Sequence, residues 1–150
     1  MKIAFQKNPT TIFSKLICWW TKSPYYHCEI IFSCGSSFSA IPEKNKTRFA
    51  WIEYNENWDI VDLPFDSKTK QKILEWCNGE VDCKYDFIGI LFTQIIPLSF
   101  QNPWWWFCSE VCMSALQQGG WFQHFRTFQY DPGELYNLVL EKKKDGEKNE

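Results

Sequence analysis

The N-terminal half of the chain carries its apolar residues in short runs bounded by turn formers, a pattern that predicts strands around one helix. Lys2 to Phe5 reads as a short strand, and Asn8, Pro9 and Thr10 form a turn able to cap a helix. From Thr11 to Lys22, Ile12, Phe13, Leu16, Ile17 and Trp20 fall on one face, which predicts an amphipathic helix packed by that face. Ser23 and Pro24 end it. Tyr26 to Phe32 and Ser37 to Ile41, joined by the turn at Cys34, Gly35 and Ser36, predict a hairpin. Arg48 to Tyr54 and Trp58 to Leu63 are two further strands, separated by the polar turn Asn55, Glu56, Asn57. Together they predict a small antiparallel sheet.

The second half changes to helical periodicity. Asp66 opens a helix through Trp76 that Gly79 stops, a second covers Tyr85 to Ile95 and ends at Pro97, and a third runs from Cys108 to Gln118 before Gly119 and Gly120. Asp131, Pro132 and Gly133 introduce a last short helix or strand through Leu140. Residues 141–150 are almost wholly charged or small and are expected to be a disordered tail. No repeat or linker divides the rest, so the expectation is one α+β domain over residues 1–140, with the sheet packed against helices.

Composition narrows the function classes. The 150 residues are 45% hydrophobic, enough for a proper core, and the net charge of −2 offers no field for a phosphate backbone, which argues against nucleic acid as a partner. Nine tryptophans need a place; most belong in the core, and the run Trp104, Trp105, Trp106 could floor a groove. The most apolar stretch, Phe87 to Phe100, is broken by Thr93, Gln94 and Pro97 and falls short of the roughly 20 residues of a membrane helix, so stable membrane insertion is not expected. Seven cysteines, an odd number, without an apolar signal segment after Met1 predict reduced thiols and a cytoplasmic location. With no Cys-x-x-Cys pair and with His27 and His124 far apart, neither a metal nor another cofactor is expected.

Chemistry concentrates at Cys108. A thiol at the start of a helix is ionised more easily because unpaired amides and the helix dipole face it, and Glu110 is placed to meet amides in the same turn. The competing role for Cys108 is that of a small core residue, the role Cys112 takes one turn later. A base must be His27 or His124. His27 begins a strand beside a turn, where its ring can stand over a cleft, whereas His124 lies in an irregular aromatic segment and suits packing or the surface. The alternative for His27 is a half-buried, hydrogen-bonded strand residue.

Three segments taken together, Thr21 to Phe32 around His27, Tyr85 to Gly89, and Phe107 to Glu110, resemble the circularly permuted NlpC-type papain-like proteins. That group includes bacterial lipoprotein-like hydrolases, poxviral and phage members, and relatives of lecithin retinol acyltransferase. In it the histidine strand precedes the cysteine helix, the reverse of papain. The resemblance implies a permuted papain-like fold, Cys108 as nucleophile, His27 as general base, and hydrolysis or transfer at an amide or ester of a peptide, protein or acyl substrate. The family's third, orienting residue falls here at Ser39 before Ala40, a departure from the usual carboxylate or histidine. Glu29, two positions past His27 on the same strand face, and Glu43, which a hairpin register could return to His27, are the other candidates, and Glu29 is preferred. Tyr85 and Asp86 take a structural, helix-starting role. The expected function is a cysteine amidase or peptidase acting on cell-wall peptide or host protein, in a phage or virus and so in a host cytoplasm. The alternatives are a binding or inhibitory module on the same fold, which Ser39 favours, and a lipid acyltransferase.

Overall fold

Alternation along the strand His27–Ile31 (β2) sets the architecture: Cys28 and Ile30 turn to one face and are fully buried, while His27 and Glu29 turn to the other. A computed structural model describes residues 1–41, 46–85, 105–106 and 108–147. The protein is α+β. Beside β2 run β1 (Lys2–Gln6), β3 (Ser36–Ile41), β4 (Lys46–Trp51) and β5 (Trp58–Asp62), with two-residue strands β6 (Lys84–Tyr85) and β7 (Trp105–Trp106) at one edge. The order across the sheet is β5-β1-β2-β3-β4-β6-β7, antiparallel except for the final β6–β7 pair.

One face of this sheet is the core. Ile3, Phe5, Ile30 and Phe38 are fully buried there with Ile73 and Cys77 of α2 (Ser67–Gly79), Val111, Cys112 and Leu116 of α3 (Cys108–Gln118), and Leu135 and Val139 of α4 (Pro132–Glu147). Every residue of α3 from Cys108 to Leu116 is buried, the condition of a helix that is covered on all sides. Asp66 caps α2 by accepting the Thr69 amide at 2.7 Å.

The sheet parts where the site lies. β2 and β3 pair at Ile30 with Phe38 and at Ile31 with Ser37, and this register carried further would pair Cys28 with Ala40. Instead the Ser39 hydroxyl donates to the Cys28 carbonyl at 2.6 Å, and the Cys112 thiol approaches the same carbonyl at 3.6 Å. The parted strands leave the Cys28 peptide facing the start of α3.

Three expectations need correction. Helix α1 (Ile12–Thr21) forms where its pattern predicts and is capped by Thr11, whose hydroxyl accepts the Ser14 amide at 3.1 Å. Its apolar residues, however, do not make one buried face. Phe13 and Ile17 turn toward a cleft, while Ile12, Leu16 and Trp19 are 89%, 51% and 71% exposed, and Ser14 is the helix's buried residue. The stripe is wide enough for two faces, and the one with Phe13 and Ile17 turns toward the cleft. Tyr85 lies in a strand rather than starting a helix, and the remainder of that expected helix, Asp86 included, lies outside the described residues. Last, α4 continues to Glu147 where a disordered tail from Glu141 was expected, because Leu135 and Val139 anchor it and the Lys and Glu residues that follow are strong helix formers.

Burial separates the two kinds of apolar residue in a denaturant titration. Phe38→Ala should cost about 3–5 kcal/mol by opening a cavity under the sheet. Trp19→Ser should stay within about 0.5 kcal/mol of the parent; a loss as large as that of Phe38→Ala would mean that α1 is packed by its outer stripe.

Candidate active site

The polar face of the sheet carries a row of side chains that the register brings side by side. Ser39 is paired with Arg48 across β3 and β4, and carrying the β2–β3 register one step places Glu29 on the other side of Ser39. Residues opposite one another share a face, so Arg48 must cross Ser39 to reach Glu29. It does so with both arms of its guanidinium: Nη1 donates to Oε2 at 2.9 Å and Nη2 to Oε1 at 2.7 Å. Ser39 is fully buried and small enough to let the longer side chain pass.

Glu29 is 1% exposed and also holds His27, whose Nε2 lies 3.0 Å from Oε1. This contact occupies one ring nitrogen and leaves Nδ1 over, and Cys108 is the other neighbour that favours the charged ring. Trp58 stands edge-on to the imidazole, with ring centres 6.1 Å apart, and restrains it from the outside. His27, Glu29 and Arg48 line a cleft of about 510 Å³ whose opposite wall is Phe13, Ser14 and Ile17 of α1.

Cys108 is the first residue of α3, and Glu110 sits in the first turn. The groups that act on its sulfur are the neighbouring Cys28, through its thiol and its amide, and the ring of His27. The Cys28 contact and the neighbouring His27 charge outweigh burial and hold the Cys108 thiol well below its ordinary pKa. For His27, burial opposes a charge on the ring, but the hydrogen bonds to Cys108 and Glu29 overcome it and raise the pKa to about 10. Burial likewise opposes ionisation of Glu29, and its bonds to His27 and Arg48 overcome it, bringing the pKa to about 2. The charges therefore alternate along the row: thiolate, imidazolium, carboxylate, guanidinium. Cys108 itself is buried at 5% exposure, and the cleft is lined by its neighbour His27 rather than by the thiol.

The structure thus brings together Cys108, His27 and Glu29. Ser39 does not orient His27; its hydroxyl is committed to the Cys28 carbonyl. Glu43 and Trp104 lie outside the described residues, as do the side chains of Trp105 and Trp106, so the groove floor expected there is not described. His124 is exposed in a turn. Sequence reasoning missed Arg48 and Cys28. The signal for Arg48 was a charge beside Phe49 within a strand, on the strand face shared with Ala50; for Cys28 it was adjacency to His27. All seven cysteines carry free thiols. Among the described residues no group of three or more His, Cys, Asp and Glu side chains is arranged to hold a metal ion, and no helix is long and apolar enough to cross a membrane.

Comparison with known proteins adds no family to this geometry: no family model matches the chain, and no curated protein matches it.

The depressed pKa of Glu29 has a consequence for acid stability. Because its folded-state value of about 2 lies below the ordinary 4.5, the stabilisation is fully present above about pH 4.5 and is lost as pH falls toward 2. The shift corresponds to about 3 kcal/mol at neutral pH. Stability of the parent should fall steeply from pH 4.5 to 2, and Glu29→Gln should show a shallower slope over that range in urea titrations. Parallel slopes would mean that the carboxylate is not held ionised in the fold.

Proposed function

We propose that the protein is a cysteine-dependent acyl hydrolase, an amidase or peptidase, on a circularly permuted papain-like fold. The observation that carries this reading is Cys108 at the first residue of a buried helix, neighbouring a histidine that a buried carboxylate orients. A core thiol has no need of a histidine held on its far side by an ionised glutamate. The order of elements agrees with the permuted arrangement: the histidine strand precedes the cysteine helix, and the helix packs on the sheet that bears the histidine.

In this mechanism His27 and Cys108 rest as an imidazolium–thiolate pair. The sulfur attacks a carbonyl carbon, and the oxyanion meets the Cys108 amide, one of the helix-start N–H groups without an intrahelical acceptor. His27 passes its proton to the leaving nitrogen or oxygen as the tetrahedral species collapses to a thioester. Water, deprotonated by the neutral ring, then releases the acid. Glu29 keeps Nε2–H fixed and stabilises the ring charge without taking the proton. Arg48 is a positioning residue that keeps Glu29 ionised.

A peptide or isopeptide of a cell wall or host protein is the substrate class this reading favours, in a phage or viral setting. A lipid acyl group is the second reading, favoured by one observation: the outward stripe of Ile12, Leu16 and Trp19 lies on the helix that walls the cleft, with Lys15 and Lys22 beside it.

The test is peptide-resolved iodoacetamide labelling at neutral pH, which separates Cys108 from the exposed and easily ionised Cys34. His27→Ala should slow Cys108 alkylation by about tenfold or more, equivalent to about 1.4 kcal/mol, with an unchanged circular dichroism spectrum. His124→Ala should stay within about twofold. Equal rates in the parent and His27→Ala would reduce Cys108 to a core thiol and favour a binding module instead. Electrophilic peptidyl and long-chain acyl probes, applied to the same variants, then separate the two substrate classes.

A further inference from the structure

Helix α1 is held by one side and bare on another. Thr11 and Ser14 close a capping box at its start, Lys22 ends it in a left-handed conformation with its amide on the Cys18 carbonyl, and Ser14 is buried against the protein. Phe13 and Ile17 turn to the cleft. Beside them Ile12, Leu16, Trp19 and Trp20 are 89%, 51%, 71% and 39% exposed, and their spacing of four, seven and eight residues from Ile12 aligns them in one ridge. Trp19 and Trp20 meet edge to face at its end, with ring centres 6.0 Å apart. Charge follows the same helix. No Asp or Glu precedes Glu29, so α1 stands in a stretch with four lysines and no acid, in a chain of net charge −2. Lys2 and Lys7 are paired with Asp62 and Asp59. Lys15 and Lys22 border the ridge, both exposed, and among the described residues neither is ion-paired.

We propose that α1 is an interfacial helix that seats the protein on an anionic membrane surface, with Ile12, Leu16, Trp19 and Trp20 entering the headgroup boundary and Lys15 and Lys22 meeting the lipid charges. The side chains select this occupant. Indole rings settle at the headgroup level of a bilayer, and lysine stems lie along apolar surface while their ammonium groups reach anionic headgroups. A single convex ridge slips between lipids without a matching groove, which a protein partner would have to supply. With 10 residues α1 is too short to cross a bilayer, so it lies in the plane of the surface. It is also capped and helical beforehand, which spares the ordering cost that an unfolded segment meets on adsorption. The proposal concerns where the protein sits and not which bond it cleaves: a peptidase would be held at the membrane in the same way as a lipid acyltransferase. Because Phe13 and Ile17 belong to the same helix, the cleft opens beside the seated ridge.

The experiment is co-sedimentation of the full chain, kept reduced, with phosphatidylcholine vesicles containing about one quarter phosphatidylserine and with vesicles of phosphatidylcholine alone. Partitioning onto the anionic vesicles should exceed that onto the neutral ones by about tenfold or more and should weaken as salt rises. Trp19→Ser should lower binding to the anionic vesicles by about tenfold. The double variant Lys15→Gln, Lys22→Gln should lose the preference for anionic vesicles and keep the weak binding to neutral ones. Circular dichroism checks each fold, and Ile12→Ser carries the same expectation should Trp19→Ser fail to fold. Binding is read without substrate, so the result does not depend on turnover. Absence of binding to the anionic vesicles, equal binding to both kinds, or undiminished binding by a folded Trp19→Ser would each overturn the proposal. So would a dimer of the parent in sedimentation equilibrium that Trp19→Ser splits, since a second copy would then cover the ridge.

Discussion

The site depends on keeping the Glu29 carboxylate charged at 1% exposure. Taking a carboxylate out of water costs several kcal/mol, and removing its partner from a buried pair commonly costs about 3–5 kcal/mol, because the remaining charge is left uncompensated. Arg48 meets this with two hydrogen bonds in the paired geometry that guanidinium and carboxylate share, and His27 takes the remaining position on Oε1. Each charge in the row from Cys108 to Arg48 then lies between opposite charges or beside one, which is what allows four ionised groups to occupy a largely buried place. An imidazole fixed in this way presents a single nitrogen to the thiol.

Three features of the fold make the row possible. Ser39 must be small, since it stands between Glu29 and Arg48 in the register. The β2–β3 ladder must stop at Ile30, because a continued ladder would engage the Cys28 peptide with Ala40 and leave no amide for the Cys108 sulfur. And α3 must begin at Cys108, so that its dipole and the sheet's parted edge act on the same atom. The residues that hold the site are thus also residues that define strand pairing, and the chemistry is built into the backbone as much as into side chains.

Much of this was legible because the relevant patterns are local. A cysteine before an apolar helical run, a histidine opening a strand, and a glutamate two positions on are read from periods of 3.6 and 2 along one segment. Arg48 was not legible, since its contact with Glu29 crosses two strands and depends on their registers and on the size of Ser39. Judged as an orienting group, Ser39 looked deficient; its physical role is to leave room and to satisfy the Cys28 carbonyl. The pattern of α1 gave its helix but not its orientation, because a wide apolar stripe does not say which half meets the protein. The charge of residues 141–147 suggested disorder, whereas Glu141 and Lys142 to Lys144 are good helix formers that extend the anchored helix, and α4 runs on through Asp145 and Gly146 to Glu147.

The charge state of the His27 ring tests this account most directly. Heteronuclear NMR of the two histidine rings across pH, with His124→Ala to assign them, reads protonation at each nitrogen. The account predicts that His27 carries both protons through neutrality and loses one only toward pH 10, with Nε2–H retained throughout. A His27 ring that titrates near the ordinary 6.5 would contradict it, for then neither Glu29 nor the Cys108 thiolate would be acting on the ring.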